Sequence, residues 1–306
     1  LSCTGGAYSV GCKPEARMSD LGALSVTCEP TSLTGCNPKE SLLCHRFASC
    51  LVCCAAGVIA GAKPSALFSF DPGAVLGDGG AAVGRVVDTY ARLLPGFGIS
   101  LACVGRSGHR LNLLVWRRDL VTSVLGDADK RELLRAAGHD VRDADRLMGS
   151  FSRDLRAFFG CHDHMRRGGH RGRLAFPHEI GLVLGYPLAD VIGFMCGGRE
   201  TCRGPWKAYG DVEEARREFG RLRMQEERCR ERFAYGVTLA SLLREGRCGG
   251  VDSRIGAQRA RGPAQRVPGS GVQVGTRHVA RQDVYESTGG NHEQGGSRLL
   301  EPVREH

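Results

Sequence analysis

Two almost wholly apolar segments, ISLACV (residues 99–104) and LNLLVW (111–116), face each other across GRSGHR. Each has the length of a strand, and neither alternates apolar with polar residues. An antiparallel pair with one side in water does alternate, so arms without a polar side require a sheet covered on at least one face. Whatever else this chain does, it must lay other elements over a central hairpin. The six-residue connection, with two glycines, predicts a longer hairpin loop and not a tight two-residue turn.

The flanking sequence supplies those elements. Leu42–Ala62 is a helix candidate. SALFSF (65–70) reads as a short strand ended by the turn residues Asp71, Pro72 and Gly73. Residues 81–94 place Val83, Val86, Val87, Tyr90 and Leu94 on one helical side, and Pro95-Gly96 stops that helix. After the hairpin comes a short helix over Asp119–Leu125. Asp127 then caps a helix that runs to Ala137 with Gly138 at its end. Asp143–Phe159 forms another helix, with Leu147, Phe151, Leu155 and Phe158 or Phe159 on one side. A basic stretch, GCHDHMRRGGHRGR (160–173), reads as a linker.

Beyond the linker lies FPHEIGLVLGYPLADVIGFM (176–195). Pro177 suits the first turn of a helix and Glu179 the positive end of its dipole. Gly185 suits a left-handed stop, and Pro187 opens a second helix. There Leu188, Val191, Ile192 and Met195 fall at helical spacing and predict a buried face. The whole reads as a helical hairpin that packs against the β-hairpin. WKAYG (206–210) reads as a further short strand. Asp211 with Glu214 then forms a capping box for a helix to about Phe233, with Val212, Ala215, Phe219, Leu222, Cys229 and Phe233 along one stripe.

Composition divides the chain into three. Residues 1–41 are rich in Gly, Ser, Thr, Pro and Cys, without a sustained apolar period. Residues 42–245 carry nearly all periodic structure and are expected to form a single domain. From residue 246 the period stops, and an Arg- and Gly-rich tail of this kind buries too little surface to offset the entropy of ordering it. Both ends are therefore expected to be disordered.

The net charge of +9 allows a nucleic-acid or anionic partner. Only five of the 42 basic residues are lysine, and aromatics are 6%, so basic stripes are not interleaved with stacking rings. Nucleic-acid binding is not favoured. Eight of the 14 cysteines precede Lys63 and the others are scattered, which is not how a disulfide framework is laid out; a reducing cytoplasm is expected. The uncharged run Phe47–Ala62 is shorter than the ~20 residues a spanning helix needs, so it reads as a buried helix and a membrane is not favoured either.

Several catalytic signatures are excluded. HEIGL has Leu182 where a zinc-protease helix needs its second histidine. GDGGAAVG (77–84) has neither the dinucleotide glycine spacing nor a phosphate-loop Lys-Ser/Thr. GRSGH (105–109) lacks the order of a nucleophile elbow. Two clusters have metal-ligand chemistry: Cys50-x-x-Cys53 with Cys44, His45 and Cys54, and Cys161, His162, His164 and His170. The first reads as structural cysteine and the second as linker, so no metal is expected, and the sequence leaves any cofactor unknown. His178 and Glu179 are the titratable pair of most interest. They suit either acid–base chemistry or the satisfaction of free N–H groups at a helix start, and the second reading is favoured.

At this point the residues resemble a known bacterial family. Pro177, His178, Glu179, Ile180, Gly181, then Leu184, Gly185, Tyr186, Pro187, Asp190, Val191, Gly193 and Phe194, then Trp206, Lys207, Tyr209 and Gly210 match the hallmark block of the domain of unknown function numbered thirty-seven ninety-three. IAGAKPSALFSF (59–70) is similar to its Leu-Ala-Gly-x-Lys segment. The chain departs from the pattern at Ala55, Ala56 and Gly57, where the family has Cys-Ala-Pro. The resemblance spans residues 42–240 and implies a small soluble bacterial protein without an established activity.

The expected fold is thus α+β: a three- or four-stranded sheet (65–70, 99–104, 111–116, with 206–210 as the fourth) built on a central hairpin, with helices over one face. The expected function is a soluble cytoplasmic domain that binds a small molecule or a protein, through His178, Glu179, Tyr186, Trp206 and Lys207. The alternative is an enzyme, or a protein handling metal or redox chemistry, that uses His178 and Glu179.

Overall fold

Strand β3 organises the domain because its residues alternate between two cores. In the computed structural model, which describes residues 38–73, 81–166 and 174–247, the chain begins with α1 (Pro38–Ile59). Strand β1 (Ser65–Phe70) and α2 (Ala81–Leu93) follow. A 3-10 turn (Leu94–Phe97) leads into β2 (Ile99–Ser107) and β3 (Arg110–Arg117). The three strands are antiparallel in the order β1-β3-β2. Leu111, Leu113 and Val115 point into a core made with α1 and α2. Leu114 and Trp116, one residue out of phase, point to the other side.

That second side is covered by α3 (Arg118–Gly126), α4 (Ala128–Ala136), α5 (Ala144–Arg166) and α6 (Leu188–Met195). Helices therefore lie on both faces of the sheet, not on one, and this is why the hairpin arms carry so few polar residues. The last long helix, α7 (Val212–Ala234), packs on α1, and residues 239–247 are helical again. Residues 206–210 do not extend the main sheet. A two-residue β5 (Lys207–Ala208) pairs with β4 (Cys202–Arg203) in a separate ribbon.

Local signals in the sequence account for several boundaries. Asp127 accepts from the amides of Asp129 and Lys130 and so caps α4. Asp211 accepts from the Glu214 amide and caps α7. The hairpin differs from expectation: β2 and β3 pair as far as Ser107 and Arg110, leaving the two-residue turn Gly108-His109. Backbone pairing does not need apolar side chains, and the polar tip is steadied by the Asp71 carboxylate, 3.1 Å from both His109 Nε2 and Arg110 Nε. Helix α5 likewise runs through the first part of the expected linker. Phe158, which meets the tilted ring of His162 at 4.5 Å and Phe176 edge-on at 5.2 Å, supplies the contacts that continue it.

Helix α1 has an 18-residue window apolar enough to cross a membrane, yet 61% of that window is buried within the domain. It is the core helix of the α1–α2 side, and Phe47 at its middle packs on Phe70 and Tyr90 at 5.0 and 4.7 Å. Its C-terminal carbonyls are capped from a distance. Arg117, buried at the end of β3, donates from Nη1 to the carbonyl oxygens of Val58 and Ile59 at 3.1 and 3.3 Å. The terminal segments 1–37 and 248–306, expected to lack structure, lie outside the described residues. Residues 38–41 of the expected N-terminal segment are helical and open α1.

Candidate functional site

The block 176–195 folds as two short pieces. His178–Leu182 is a 3-10 turn, where an α-helix was expected, and α6 follows after Gly185. Gly185 has φ +91°, and Tyr186–Pro187 re-aims the chain so that α6 lies against the turn. A proline so soon after the turn leaves no room for a longer helix. The two pieces pack on the β-hairpin as expected: Ile180, Leu182 and Val183 share a core with Val104 and Leu114. Ser65 Oγ, on β1, donates to the Val183 carbonyl at 2.7 Å.

Asp190 holds α6 to the WKAYG segment. It is buried, and its two oxygens accept from Trp206 Nε1 at 2.8 Å and from the Tyr209 amide at 2.7 Å. This clamp turns α6 away from the predicted orientation. Val191 is buried, but Ile192 and Met195, expected in the core, are each 43% exposed. Satisfying two buried donors outweighs covering two apolar side chains on a helix of only two turns. Gly193 permits the close approach, since a Cβ there would sit 2.5 Å from Tyr209 Cβ.

Trp206 is fixed by Tyr186, stacked at 5.0 Å, and by Phe219, edge-on at 4.6 Å. Lys207 Nζ lies 5.8 Å from the Phe194 ring centre and 3.6 Å from Glu200 Oε2. The result is a small, partly open notch lined by His178, Tyr186, Asp190, Phe194, Trp206 and Lys207, with a volume of about 30 Å3. Four of the five residues singled out from sequence thus meet at one concave surface. Glu179 does not.

Glu179 turns the other way, into the domain. Its Oε1 lies 2.8 Å from Nε2 of His139, a buried residue after α4 that sequence reasoning missed. His139 Nδ1 lies 3.0 Å from Ser150 Oγ, and the Ser150 hydroxyl donates to the Leu147 carbonyl at 2.8 Å. The serine has spent its proton, so it accepts from His139 Nδ1–H. Serine, histidine and glutamate in contact resemble a hydrolase triad, but Ser150 is buried on α5 and its proton is committed to the backbone. The arrangement is a brace between α4, α5 and the 178–182 turn. Burial pushes the Glu179 carboxyl up, but the hydrogen bond from His139 and the charges of both histidines bring it below the usual glutamate range.

His178 is left alone at the notch. Its ring lies between Phe176 and Phe194, at 5.5 and 4.9 Å, and its Nδ1 is buried without a hydrogen-bond partner. Burial lowers its pKa, against the opposing charge of Glu179, so the imidazole is neutral near pH 7. Pro177, at the start of the turn, offers no side-chain cap, but the Glu179 carboxylate also accepts from its own backbone amide. The pair is divided, with Glu179 bound inside and His178 facing the notch.

Cys50 and Cys54 touch at 3.9 Å on α1, and Cys53 is disulfide-bonded. Cys161 and His162 lie on α5, while the side chains of His164 and His170 lie outside the described residues. Among the described residues no three His, Cys, Asp or Glu side chains come together to hold a metal ion.

Comparison with known proteins agrees with the signature block. A family model described as a protein of unknown function, DUF3793, matches residues 51–243, well over half of the chain. No curated protein and no solved structure matches. The matched span contains β1, the hairpin, the His139–Glu179 brace, the notch and α7, and the chain belongs to this family.

Proposed function

We propose that the domain is a soluble recognition module that binds a protein partner at the notch around His178, Phe194, Trp206 and Lys207. The observation that carries this reading is the mismatch between the notch and its surroundings. An accessible volume of about 30 Å3 has room for one small group, far below the ~300–1,000 Å3 of ordinary small-molecule pockets. Elsewhere on α6, Ile192 and Met195 expose apolar surface. A shallow notch of this size suits an inserted side chain from a protein surface. Lys207 lines the notch and shares Glu200 with Arg203, so two positive charges stand against one negative charge there and an acidic partner surface suits it.

The enzyme reading is weakened by the geometry of its two residues. Glu179 is committed to His139 and cannot share a proton with a substrate in the notch alongside His178. A cytoplasmic setting belongs to this proposal as the compartment expected from cysteine usage; the disulfide at Cys53 weighs against it.

A photo-crosslinking residue at position 192 tests the reading in cells that produce the full chain, with position 85 on α2 as control. One discrete adduct at 192, none at 85, and loss of the adduct on Lys207→Glu are the expected results. Equal labelling at both positions would sink the proposal.

A further inference from the structure

We propose that Cys50 and Cys54 form a redox-active dithiol that exchanges with low-molecular-weight disulfides. The site lies on α1, where it meets α7, and shares no residue with the notch.

Four residues apart, the two side chains share one face of the helix. Their sulfurs are 3.9 Å apart, with one thiol hydrogen-bonded to the other. Both cysteines are only partly buried, so a small reagent can reach them. From α7, Arg230 donates to the Cys53 carbonyl at 3.1 Å and is held by Glu226 at 2.9 Å, which fixes a guanidinium beside the pair. An electropositive, partly exposed setting is where cysteine becomes reactive.

The two thiols are unequal. The hydrogen bond from Cys50 and the charge of Arg230 hold the Cys54 thiol down against burial. That same contact, with burial, pushes Cys50 up. Cys54 is therefore the attacking sulfur and Cys50 the resolving one. Helical Cβ atoms at this spacing are about 5–6 Å apart, whereas a disulfide needs roughly 3.5–4.5 Å. Closure requires local backbone movement, and α1 departs from helical geometry at Ala55 (φ −123°, ψ 23°), the next residue.

The reaction balances in two steps. The Cys54 thiolate attacks one sulfur of RSSR, forming Cys54–S–SR and releasing RS⁻. The Cys50 sulfur then displaces the second RS⁻ from the mixed disulfide, giving the Cys50–Cys54 bond, and the Cys50 proton passes to the leaving thiolate. The dithiol loses two electrons and RSSR gains them as two RSH.

The probe is oxidised glutathione on the fully reduced full-length chain, followed by alkylation, chymotryptic cleavage and mass mapping. Cleavage after Leu51 separates Cys50 from Cys54, so their bond joins two peptides. A Cys53→Ser variant removes the neighbouring competitor. The expected result is a 50–54 link in this variant, with two reduced glutathiones released per link. In Cys50→Ser the reaction stops at one glutathione on Cys54; Cys50→Ala is the second variant should serine disturb the fold. Adducts on Cys103 or Cys196 with Cys54 unmodified overturn the proposal, as does a Cys53→Ser chain that never forms the link.

Discussion

The two faces of the sheet are built differently. On the α1–α2 side, the core is almost entirely hydrocarbon: Phe47, Leu51, Phe70, Leu113 and Ile99 fill it, and the buried charge of Arg117 sits at its edge on the end of α1. On the other side, the hydrocarbon core is threaded by polar contacts: Ser65 to Val183, His139 to Ser150 and Glu179, Asp190 to Trp206. Apolar contacts set stability without dictating fine geometry. Buried hydrogen bonds are directional and costly to leave unmade, so they specify where each element sits. The polar side is the one that carries the notch.

The contrast is broken most severely from the dry side. Phe47→Ala leaves a cavity between the Phe70 and Tyr90 rings, and destabilisation of about 3–5 kcal/mol is expected in urea unfolding. The crosslink from position 192 should persist wherever that variant is still folded, because no notch residue touches Phe47. Its loss at temperatures where circular dichroism shows the native state would mean that the two sides are not separable.

Asp190→Ala attacks the wet side. It leaves Trp206 Nε1 and the Tyr209 amide buried without an acceptor, at a cost of about 2–3 kcal/mol. Here the geometry should fail before the fold does. With Trp116 replaced by Phe, Trp206 is the sole emitter of the two tryptophans, and its fluorescence should shift to the red in the native state. Emission unchanged by the substitution would show that Asp190 does not position the notch.

Acid sharpens the comparison further. Glu179 ionises more readily folded than unfolded, so its contribution is complete above the ordinary glutamate range and is lost as pH falls through its lowered value. His178 is harder to protonate folded than unfolded, so the unfolded chain gains protons first as pH drops below about 6.5, and stability declines there as well. The stability curve should descend in two steps. His178→Gln should remove the upper one, and Glu179→Gln should shrink the lower, which Asp71, Asp127, Asp140, Glu200 and Glu245, also held below their usual range, share with it. An upper step that survives His178→Gln, or a lower one undiminished by Glu179→Gln, would mean these groups do not govern it.

How much of this was readable in advance depended on range. The hairpin, the Asp127 and Asp211 caps and the Gly185-Pro187 bend are written within a few neighbouring residues, and each was legible. The convergence of His178, Tyr186, Trp206 and Lys207 followed from a block whose pieces had to fold back on one another. His139 and Arg117 were not legible. Each finds its partner tens of residues away, and nothing in the spacing around either marks it as buried. The exposure of Ile192 and Met195 went unread for the same reason: helical periodicity identified an apolar stripe, but the partner of Asp190 lay beyond the helix and decided which side turned inward.

That stripe provides the smallest and most specific effect. Ile192→Ser removes exposed apolar surface from α6 without touching the clamp at Asp190. Away from buried contacts, such changes usually stay within about 0.5 kcal/mol, so thermal unfolding should hardly move. If the surface is there for a partner, the crosslink read from a probe at the neighbouring exposed position 195 should fall sharply while stability does not. A natural monomer tolerates isolated exposed apolar residues, and that is the competing account of Ile192. Undiminished crosslinking by the serine variant would favour it.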